Sequence, residues 1–398
     1  MEIWKRNLFV CWFGVFVTSL GLSQIVPILP LYIAHLGIHD TAKIEQWAGI
    51  TFGVTTLVMA AVSPLWGWAA DKYGRKPMLL RASLGMCLVI SSMGFVQNVY
   101  QLLGLRLLQG TISGFYSGSI TLIATQTPTE RAGWALGTLA TGAVGGTLLG
   151  PLLGGYLAET MGFRSVFLSI GALLLVAFLL SLLFVKEDFT ASQGKVLGFQ
   201  EVWRLLPNPG LLVAMFVTTF VLQLALYSIE PIITVYIGQL SRNTAHIALI
   251  SGTVFAASGF ASMLAAPRLG KLSDRIGPQK VILTALIAGG LLFIPQAWVQ
   301  NAWQLGGLRL LLGIVTAALL PSINTLLKRN TPDEVAGRAF GYNQAAQFLG
   351  MFSGSVLGGQ IAAAYGIHYV FFVTSTLLLL NALWVYRAML KRLTECEA

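Results

Sequence analysis

The stretch SPLWGWAADKYGRKPMLL, residues 63–80, recurs in altered form as APRLGKLSDRIGPQKVIL, residues 266–283. A glycine, an aspartate and a second glycine match between the copies: Gly67, Asp71 and Gly74 with Gly270, Asp274 and Gly277. Further along, QLLGLRLLQG matches QLGGLRLLLG and GPLLGG matches GSVLGG, always at an offset of 203 or 204 residues. An internal repeat with almost no insertions predicts two halves of similar structure.

The composition is that of a membrane protein. The chain has 398 residues, of which 56% are hydrophobic and only 10% charged, whereas soluble domains have about 25% charged residues. Apolar runs long enough to cross about 30 Å of hydrocarbon recur along the whole chain. Numbered in order as spans 1 to 12, they lie at 8–34, 46–70, 77–97, 101–125, 133–160, 164–185, 210–237, 246–270, 279–297, 302–327, 336–363 and 367–390.

The repeat and the twelve spans together predict an all-α integral membrane fold made of two pseudo-symmetric six-helix bundles. We expect the N-terminal bundle at residues 1–185 and the C-terminal bundle at 210–398. Residues 186–209, the one long polar stretch, are predicted to be a cytoplasmic linker. Parallel repeats of six helices are one way in which secondary transporters are built, and rocking of two similar lobes explains why such a symmetry exists.

The basic charge reflects membrane topology. Net charge is +10, which could indicate a nucleic-acid partner. With both termini placed in the cytoplasm, however, only Lys43, Arg164 and Arg242 of the 25 Lys and Arg fall in outer loops, and only Arg106 and Arg309 lie within spans. The others lie at or near inner span ends, as the positive-inside rule requires. We therefore expect cytoplasmic termini and no nucleic-acid partner.

Several classes of function have no support in the sequence. No phosphate-binding GxxxxGK[ST] motif occurs, which argues against ATP as the energy source. No nucleophile or paired-carboxylate arrangement appears, so we expect no catalytic residues, no cofactor and no enzyme. The cysteines are too few and scattered for a disulfide framework or a metal site: Cys11, Cys87 and Cys396. The histidines are interpreted as solvated residues at outer span ends: His35, His39, His246 and His368.

Three charged residues lie inside predicted spans: Arg106, Arg309 and Glu230. Charges in hydrocarbon are costly and usually face a partner or a cavity. Glu230, in LYSIEPIITVY, is the one acid of fifteen well inside a span. The charged form of such a carboxyl is disfavoured by desolvation, so it can exchange a proton or accept a cationic drug. The alternatives are a buried protonated Glu with a packing role and a structural Arg309 bonded to backbone carbonyls.

A glycine ridge runs along span 5. Gly142, Gly146, Gly150 and Gly154 recur at every fourth position, which places them on one helix face. Small residues let two backbones approach closely in a membrane, and Pro151 removes one helical hydrogen bond within the ridge. The second half keeps the glycines but has Ser355 in place of Pro151.

Three motifs resemble the signatures of the major facilitator superfamily, and more narrowly of its twelve-span drug:proton antiporters of the bacterial multidrug and quinolone type. They are GWAADKYGRKP at 67–77, RLLQG at 106–110 and GTLLGPLLGG at 146–155. The resemblance implies a proton-coupled secondary exporter of small hydrophobic or amphipathic drugs, acting by alternating access as a monomer in the bacterial plasma membrane. Its partners would be drugs, protons and membrane lipids.

The main alternative is an exporter or facilitator of one defined metabolite, such as a sugar, or a lipid translocator. A sugar site, however, should show more polar side chains than this chain offers. A non-transporting receptor or scaffold would be expected to have lost the motifs and to carry a large soluble appendage, and neither is seen. Gradient-driven export of drugs is therefore the favoured reading of the sequence.

The resemblance also implies roles for individual residues. The conformational gate comprises Gly67, Asp71, Gly74, Arg75, Lys76, Glu130, Arg131, Asp274 and Arg275. Proton coupling is assigned to Arg106, Glu230 and Arg309, although many related pumps carry an acid in span 1, where this chain offers Gln24. The hinge and packing surface, where spans 5 and 8 are expected to meet, comprises Gly146, Gly150, Pro151, Gly154 and Gly155. Substrate contacts are expected from Gln24, Tyr32, Phe115, Tyr116, Gln223, Tyr227, Glu230, Phe255, Asn343 and Gln347.

Overall fold

The computed structural model describes residues 2–187, 209–241 and 246–396, with side chains described throughout except at 71, 129–130, 274, 333–334, 336–337 and 388–396. These residues form α-helices joined by short turns, and no strand occurs among them. In chain order the helices are α1 (Ile3–Ser23), α2 (Ile25–His35), α3 (Thr41–Tyr73), α4 (Arg75–Met93), α5 (Val99–Ile112), α6 (Phe115–Gln126), α7 (Thr129–Met161), α8 (Phe163–Phe184), α9 (Pro209–Ile229), α10 (Ile233–Leu240), α11 (Ile247–Ile276), α12 (Pro278–Gln296), α13 (Ala302–Thr316), α14 (Leu319–Arg329), α15 (Asp333–Tyr365) and α16 (Ile367–Cys396).

Each predicted span is occupied by one helix or by two consecutive helices, which confirms the all-helical fold class. Within the described ranges, nine helical segments are long and apolar enough to cross a membrane. The helices of spans 3, 4 and 11 fall outside that group, so the count of twelve crossings stays a prediction that is consistent with the helices observed.

Spans 1, 4, 7 and 10 are interrupted, so the break falls in the first helix of every three. Three breaks have a proline close by: Pro27 in span 1, Pro231 in span 7 and Pro321 in span 10. Proline lacks an N–H, so the carbonyl four residues earlier loses its helical partner. In span 4 the break lies at Gly114, whose φ of 122° is a left-handed value that glycine adopts readily.

By their contacts the residues divide into two compact units. The first comprises Met1–Asp40, Val54–Gly194 and Asn243–Ala256, and the second Thr41–Gly53, Lys195–Arg242 and Ala257–Ala398. In the first unit α1, α4, α6 and α7 share an apolar core that includes Leu8, Leu79, Phe115 and Leu139. The division into bundles at residues 186–209 stays a prediction, since most of that linker lies outside the described residues.

The sequence repeat is also a repeat of local structure. Asn98 caps α5 by accepting a hydrogen bond from Gln101 N at 2.9 Å. Asn301 caps α13 through Gln304 N at the same 2.9 Å. An N-cap side chain of this kind satisfies one of the free N–H groups at the start of a helix. The two halves therefore begin equivalent helices with equivalent caps.

The glycine ridge of α7 packs against α1. A methyl group at Gly142 would lie 2.8 Å from Trp12 O, and one at Gly154 would lie 2.6 Å from Gln24 O. In the second half, Gly350, Gly354 and Gly358 pack against α9 in the same way. Only glycine permits backbones to approach this closely, so the ridge joins the first and fifth spans of each half.

Span 8 approaches α7 at Pro151 and Gly155, two residues of the predicted hinge surface. The other three residues of that surface pack against α1 and the residue that follows it: Gly146, Gly150 and Gly154. A methyl group at Gly155 would lie 2.5 Å from Ala248 O of α11, and Gly252 of α11 packs against Pro151 O. In the second unit Gly359 of α15 makes the equivalent approach to Glu45 O of α3, also at 2.5 Å. Spacing alone shows that some backbone approaches the glycines, but not which helix supplies it.

Candidate functional site

Glu230 begins a short 3₁₀ turn, Glu230–Ile232, that separates α9 from α10. Pro231 cannot donate a helical hydrogen bond, so the chain changes its helical form at the residue that carries the charge. The Glu230 side chain stays partly accessible although it lies in the middle of a predicted span. This position suits a group that must exchange a proton or a ligand.

Arg309 of α13 is the charged partner of Glu230 in the second unit. The guanidinium is only 4% exposed, and its Nε and Nη2 atoms have no hydrogen-bond partner among the described residues. Arg309 and the Glu230 carboxylate attract each other electrostatically. Because the surroundings are apolar, such an attraction is much stronger than in water.

Aromatic and amide side chains of the second unit lie beside this pair. Tyr227, almost one helical turn before Glu230, is close enough to interact with the same carboxylate. The Tyr227 ring lies 5.8 Å from the ring of Phe52, measured between centroids. Gln223 is buried one helical turn before Tyr227 in α9. Gln223, Tyr227, Glu230 and Arg309, with Phe52, form what we call the span-7 site.

Arg106 occupies the equivalent position in the first unit but has different surroundings. It is 2% exposed, and its Nη1 donates to Gln109 Oε1 at 2.8 Å. The Arg106 carbonyl accepts a hydrogen bond from Thr55 Oγ1 at 3.1 Å. The repeat puts Leu312 where Gln109 stands, so one arginine has a neutral amide as its neighbour and the other has a carboxyl.

Tyr32, a predicted substrate contact, forms structural contacts within the first unit. Its hydroxyl donates to the Met93 carbonyl, and its ring lies 5.1 Å from the ring of Phe167. Tyr236 repeats this arrangement in the second half, where its hydroxyl donates to Gln296 O at 2.9 Å. The pair of tyrosines thus ties equivalent helices together in the two halves.

The structure distributes the other predicted substrate contacts over both units. Phe115 is 1% exposed and belongs to the apolar core of the first unit. Gln24 is buried at the break of span 1, and its Oε1 has no partner among the described residues. Asn343 Nδ2 donates to Asn324 Oδ1 at 3.2 Å. The remaining three are partly or largely exposed: Tyr116, Phe255 and Gln347.

Only part of the predicted gate can be placed. The side chains of Asp71, Glu130 and Asp274 lie outside the described residues, so their pairing stays a prediction. The described members of the gate are compatible with a loop at the predicted inner ends of the spans, where Gly74 has a φ of 95° and Gly277 one of 94°. Gly67 faces open space, and two further members are exposed: Arg131 and Arg275.

Glu187 is a residue of this inner region that the sequence analysis missed. Its carboxylate accepts hydrogen bonds from the backbone N–H groups of Arg75 and Lys76, at 2.9 and 2.7 Å. Lys76 Nζ in turn donates to Leu182 O at 3.0 Å. A carboxylate is well placed at the N-terminus of α4, because helix N-termini carry free donors and partial positive charge. Glu187 follows span 6 in the chain, and nothing in its spacing indicates α4.

Glu159 makes a similar contact at the predicted outer end. It accepts from Leu249 N, near the N-terminus of α11, at 2.9 Å. Its other oxygen lies 2.8 Å from His246 Nδ1. His246 was interpreted as a solvated residue, and its side chain is indeed 72% exposed. The Glu159 carboxylate nevertheless links His246 to α7, next to the place where Gly155 packs against Ala248.

A repeated helical fold in membrane-spanning segments, with charged side chains inside the spans and one of them, Glu230, at a helix break, defines a class. It is the class of multi-pass secondary transporters. The sequence profile of the Major Facilitator Superfamily matches residues 11–251 and 215–394. The chain belongs to this superfamily, which confirms the resemblance seen in its motifs and makes it a transporter rather than an enzyme.

Close relatives match nearly the whole chain. Multidrug resistance protein MdtG of Citrobacter koseri is 47% identical over 390 residues, which cover 98% of this chain and 96% of the relative. The protein of the same name from Serratia proteamaculans is 46% identical over 393 residues, with the same shares covered. The chain is thus similar to these proteins over their full length.

Solved structures show the same fold at low sequence identity. A bacterial homolog of the human lysosomal transporter Spinster, in an inward-facing and unoccupied conformation, matches with a TM-score of 0.80 and 14% identity, covering 98% of this chain and 97% of that one. The human organic anion transporter MFSD10 matches with a TM-score of 0.72 and 16% identity, covering 97% and 100%.

Proposed function

We propose that this chain is a proton-coupled exporter of small hydrophobic or amphipathic drugs that works by alternating access. The observation that carries the proposal is the span-7 site, in which a partly accessible carboxyl at a helix break attracts a buried arginine. The similarity to multidrug resistance proteins over 98% of the chain supports drugs as the substrate class.

Glu230 would couple the two fluxes because a proton and a cationic drug compete for the same carboxylate. In the ionised state the carboxylate attracts Arg309. Protonation cancels that attraction, whereas a bound cation competes with it. Tyr227 and Phe52 offer aromatic faces beside the carboxylate, which suit flat apolar compounds and cations alike. A drug that binds would therefore displace a proton, and a proton that binds would displace a drug.

The contacts that open and close during alternating access would join backbone to backbone, so they could separate without repacking of side chains. Gly155 against Ala248, and Gly359 against Glu45, are approaches of backbone to backbone. We propose that they break and re-form as access alternates, with Pro151 acting as a hinge. Asp71, Glu130 and the basic residues beside them would form the gate at the cytoplasmic face of the membrane.

The remaining expectations are part of the same proposal. The transporter would lie in the bacterial plasma membrane with both termini in the cytoplasm, where most of its Lys and Arg would face. It would act as a monomer, with drugs and protons as its transported partners and membrane lipids around it.

Uptake of norfloxacin or ethidium into everted membrane vesicles tests the function. With a proton gradient, wild-type vesicles should accumulate drug, and an uncoupler should stop them. Glu230→Gln keeps the size of the side chain but cannot ionise, so it should lose gradient-driven uptake.

Glu2→Gln is the matched control for that experiment. Glu2 is an exposed carboxylate paired with Lys5 at 2.8 Å, and Lys5 lowers its pKa, so it stays ionised at neutral pH. This variant should transport like the wild type. Wild-type vesicles that accumulate neither drug, whatever the gradient, would count against drug export and favour a single-metabolite exporter. Unchanged uptake by Glu230→Gln would refute the coupling role alone.

A further inference from the structure

An apolar groove of about 360 Å³ runs between α11 and α13 in the second unit. Its apolar walls include Phe260, Leu264, Leu269, Leu310 and Ile314. Phe260 is 48% and Leu264 51% exposed. In a membrane protein, apolar side chains exposed on a predicted span face lipid tails, so this groove is open to the bilayer.

In the first half a larger side chain occupies one position of the corresponding space. The repeat aligns Trp66 with Leu269 and Thr111 with Ile314. Trp66 Nε1 donates to Thr111 O at 2.6 Å, so the indole closes the gap between α3 and α5. The Arg81 guanidinium lies 3.4 Å above the centre of the Trp66 ring, where the second half has only Thr284.

The groove has a positive charge at one end. Arg268 is part of its wall, and its side chain is exposed. Lys271 and Arg275 follow at the next turns of α11, three and seven residues later and on the same side of the helix. Arg268 Nη1 has a long hydrogen bond, 3.4 Å, to Leu264 O of its own helix, which leaves its other donors able to bind an anion.

We propose that this groove binds one anionic phospholipid. The phosphate of the headgroup would bind Arg268, with Lys271 beside it, and an acyl chain would lie along Leu264, Phe260 and Ile314. Basic residues next to gaps between transmembrane helices are typical sites for anionic headgroups. The site is independent of the span-7 site and does not require that the chain export drugs.

Lipid binding to the purified full chain tests this proposal. Phosphatidylglycerol and phosphatidylcholine with identical acyl chains are titrated onto the protein in detergent, and the bound lipid is counted by native mass spectrometry. We expect wild-type protein to bind phosphatidylglycerol about fivefold more tightly, as one basic side chain near a headgroup provides. Glycerol phosphate, which has the headgroup charge but no chains, should not compete at the same concentration.

Two variants and a control decide the outcome. Arg268→Gln should remove the preference for phosphatidylglycerol. Leu269→Trp should weaken the binding of both lipids, because an indole like that of Trp66 in the first half would fill the groove. Lys280→Gln, at an exposed basic residue of α12, should keep the preference. The proposal is overturned if Arg268→Gln still prefers phosphatidylglycerol, or if glycerol phosphate competes as well as the lipid. Arg268 is exposed, so its variant should fold whether or not Leu269→Trp does.

Discussion

Arg106 and Arg309 are a matched pair of the repeat with different neighbours. Both arginines are almost completely buried at equivalent positions of the repeat. Arg106 is bonded to the neutral amide of Gln109, whereas Arg309 attracts the Glu230 carboxylate. The helix caps, the left-handed glycines that precede α4 and α12, and the tyrosine hydrogen bonds are duplicated. The repeat therefore preserves these parts of the scaffold in both halves, whereas the described neighbours of the two buried arginines differ: an amide beside Arg106 and a carboxyl beside Arg309.

Replacing each arginine in turn tests this difference directly, and we expect it to have the largest effect on drug uptake. Arg309→Gln removes the positive charge that attracts the Glu230 carboxylate, so we expect it to shift the pH dependence of drug uptake. We also expect uptake at neutral pH to fall by about tenfold, within the usual range of coupling between linked sites. Arg106→Gln should lower uptake with a smaller shift, because Gln109, to which Arg106 donates, has no charge. Uptake in everted vesicles over a range of pH measures both, and equal shifts would contradict the asymmetry.

The glycine ridge should be equally sensitive to substitution in both halves. Gly146→Ala places a methyl group 2.8 Å from Leu20 N, and Gly354→Ala places one 2.9 Å from Leu224 Cα. We expect each to lower the free energy of unfolding by about 1–3 kcal/mol, as overpacking does. Thermal unfolding in detergent measures the loss.

Gly145→Ala is the matched control for the ridge. A methyl group there would lie 3.5 Å from the Phe16 ring, an ordinary contact, so this variant should unfold at the temperature of the wild type or slightly above it. If Gly145→Ala and Gly146→Ala were equally stable, close backbone packing would not explain the ridge.

The helix caps should give the smallest effect and the closest equality between halves. Asn98→Ala and Asn301→Ala each remove one hydrogen bond to the second or third N–H of a helix. Each should lower the free energy of unfolding by about 1 kcal/mol. If the two losses in free energy of unfolding differed by much more than about 1 kcal/mol, the two caps would stabilise their helices unequally. The same thermal unfolding assay detects it.

The sequence predicted the helical class, the family and the repeat, because hydropathy and motif spacing report on each residue's own surroundings. Each predicted span coincides with one helix or with two consecutive helices, but the breaks within spans 1, 4 and 10 were not predicted. The sequence did not predict the break at Gly114, because a glycine in a span is equally compatible with close packing and with a left-handed turn. Nor did it predict that α1 packs on the glycine ridge, since a small-residue face accepts any backbone.

The same distinction applies to the sites: the sequence indicates a residue's own surroundings but not its partners from distant parts of the chain. Glu230 and Arg309 stand out in the sequence because a charge within a span is rare. Glu187 and Glu159 do not stand out, because acids near the ends of spans are common. Their function as helix caps depends on helices far away in the chain. Tyr32 was grouped with the substrate contacts by its type and span, and its bond to Met93 O became visible only in the folded chain.

Proton release on drug binding is the most direct test of the central claim that Glu230 binds either a proton or a drug. Purified protein in weakly buffered detergent is mixed with a cationic drug such as ethidium while a pH indicator records the protons released. We predict release from the wild type and from Arg106→Gln, and none from Glu230→Gln, whose binding of ethidium is measured separately by fluorescence. Release from Glu230→Gln equal to that of the wild type would contradict the account.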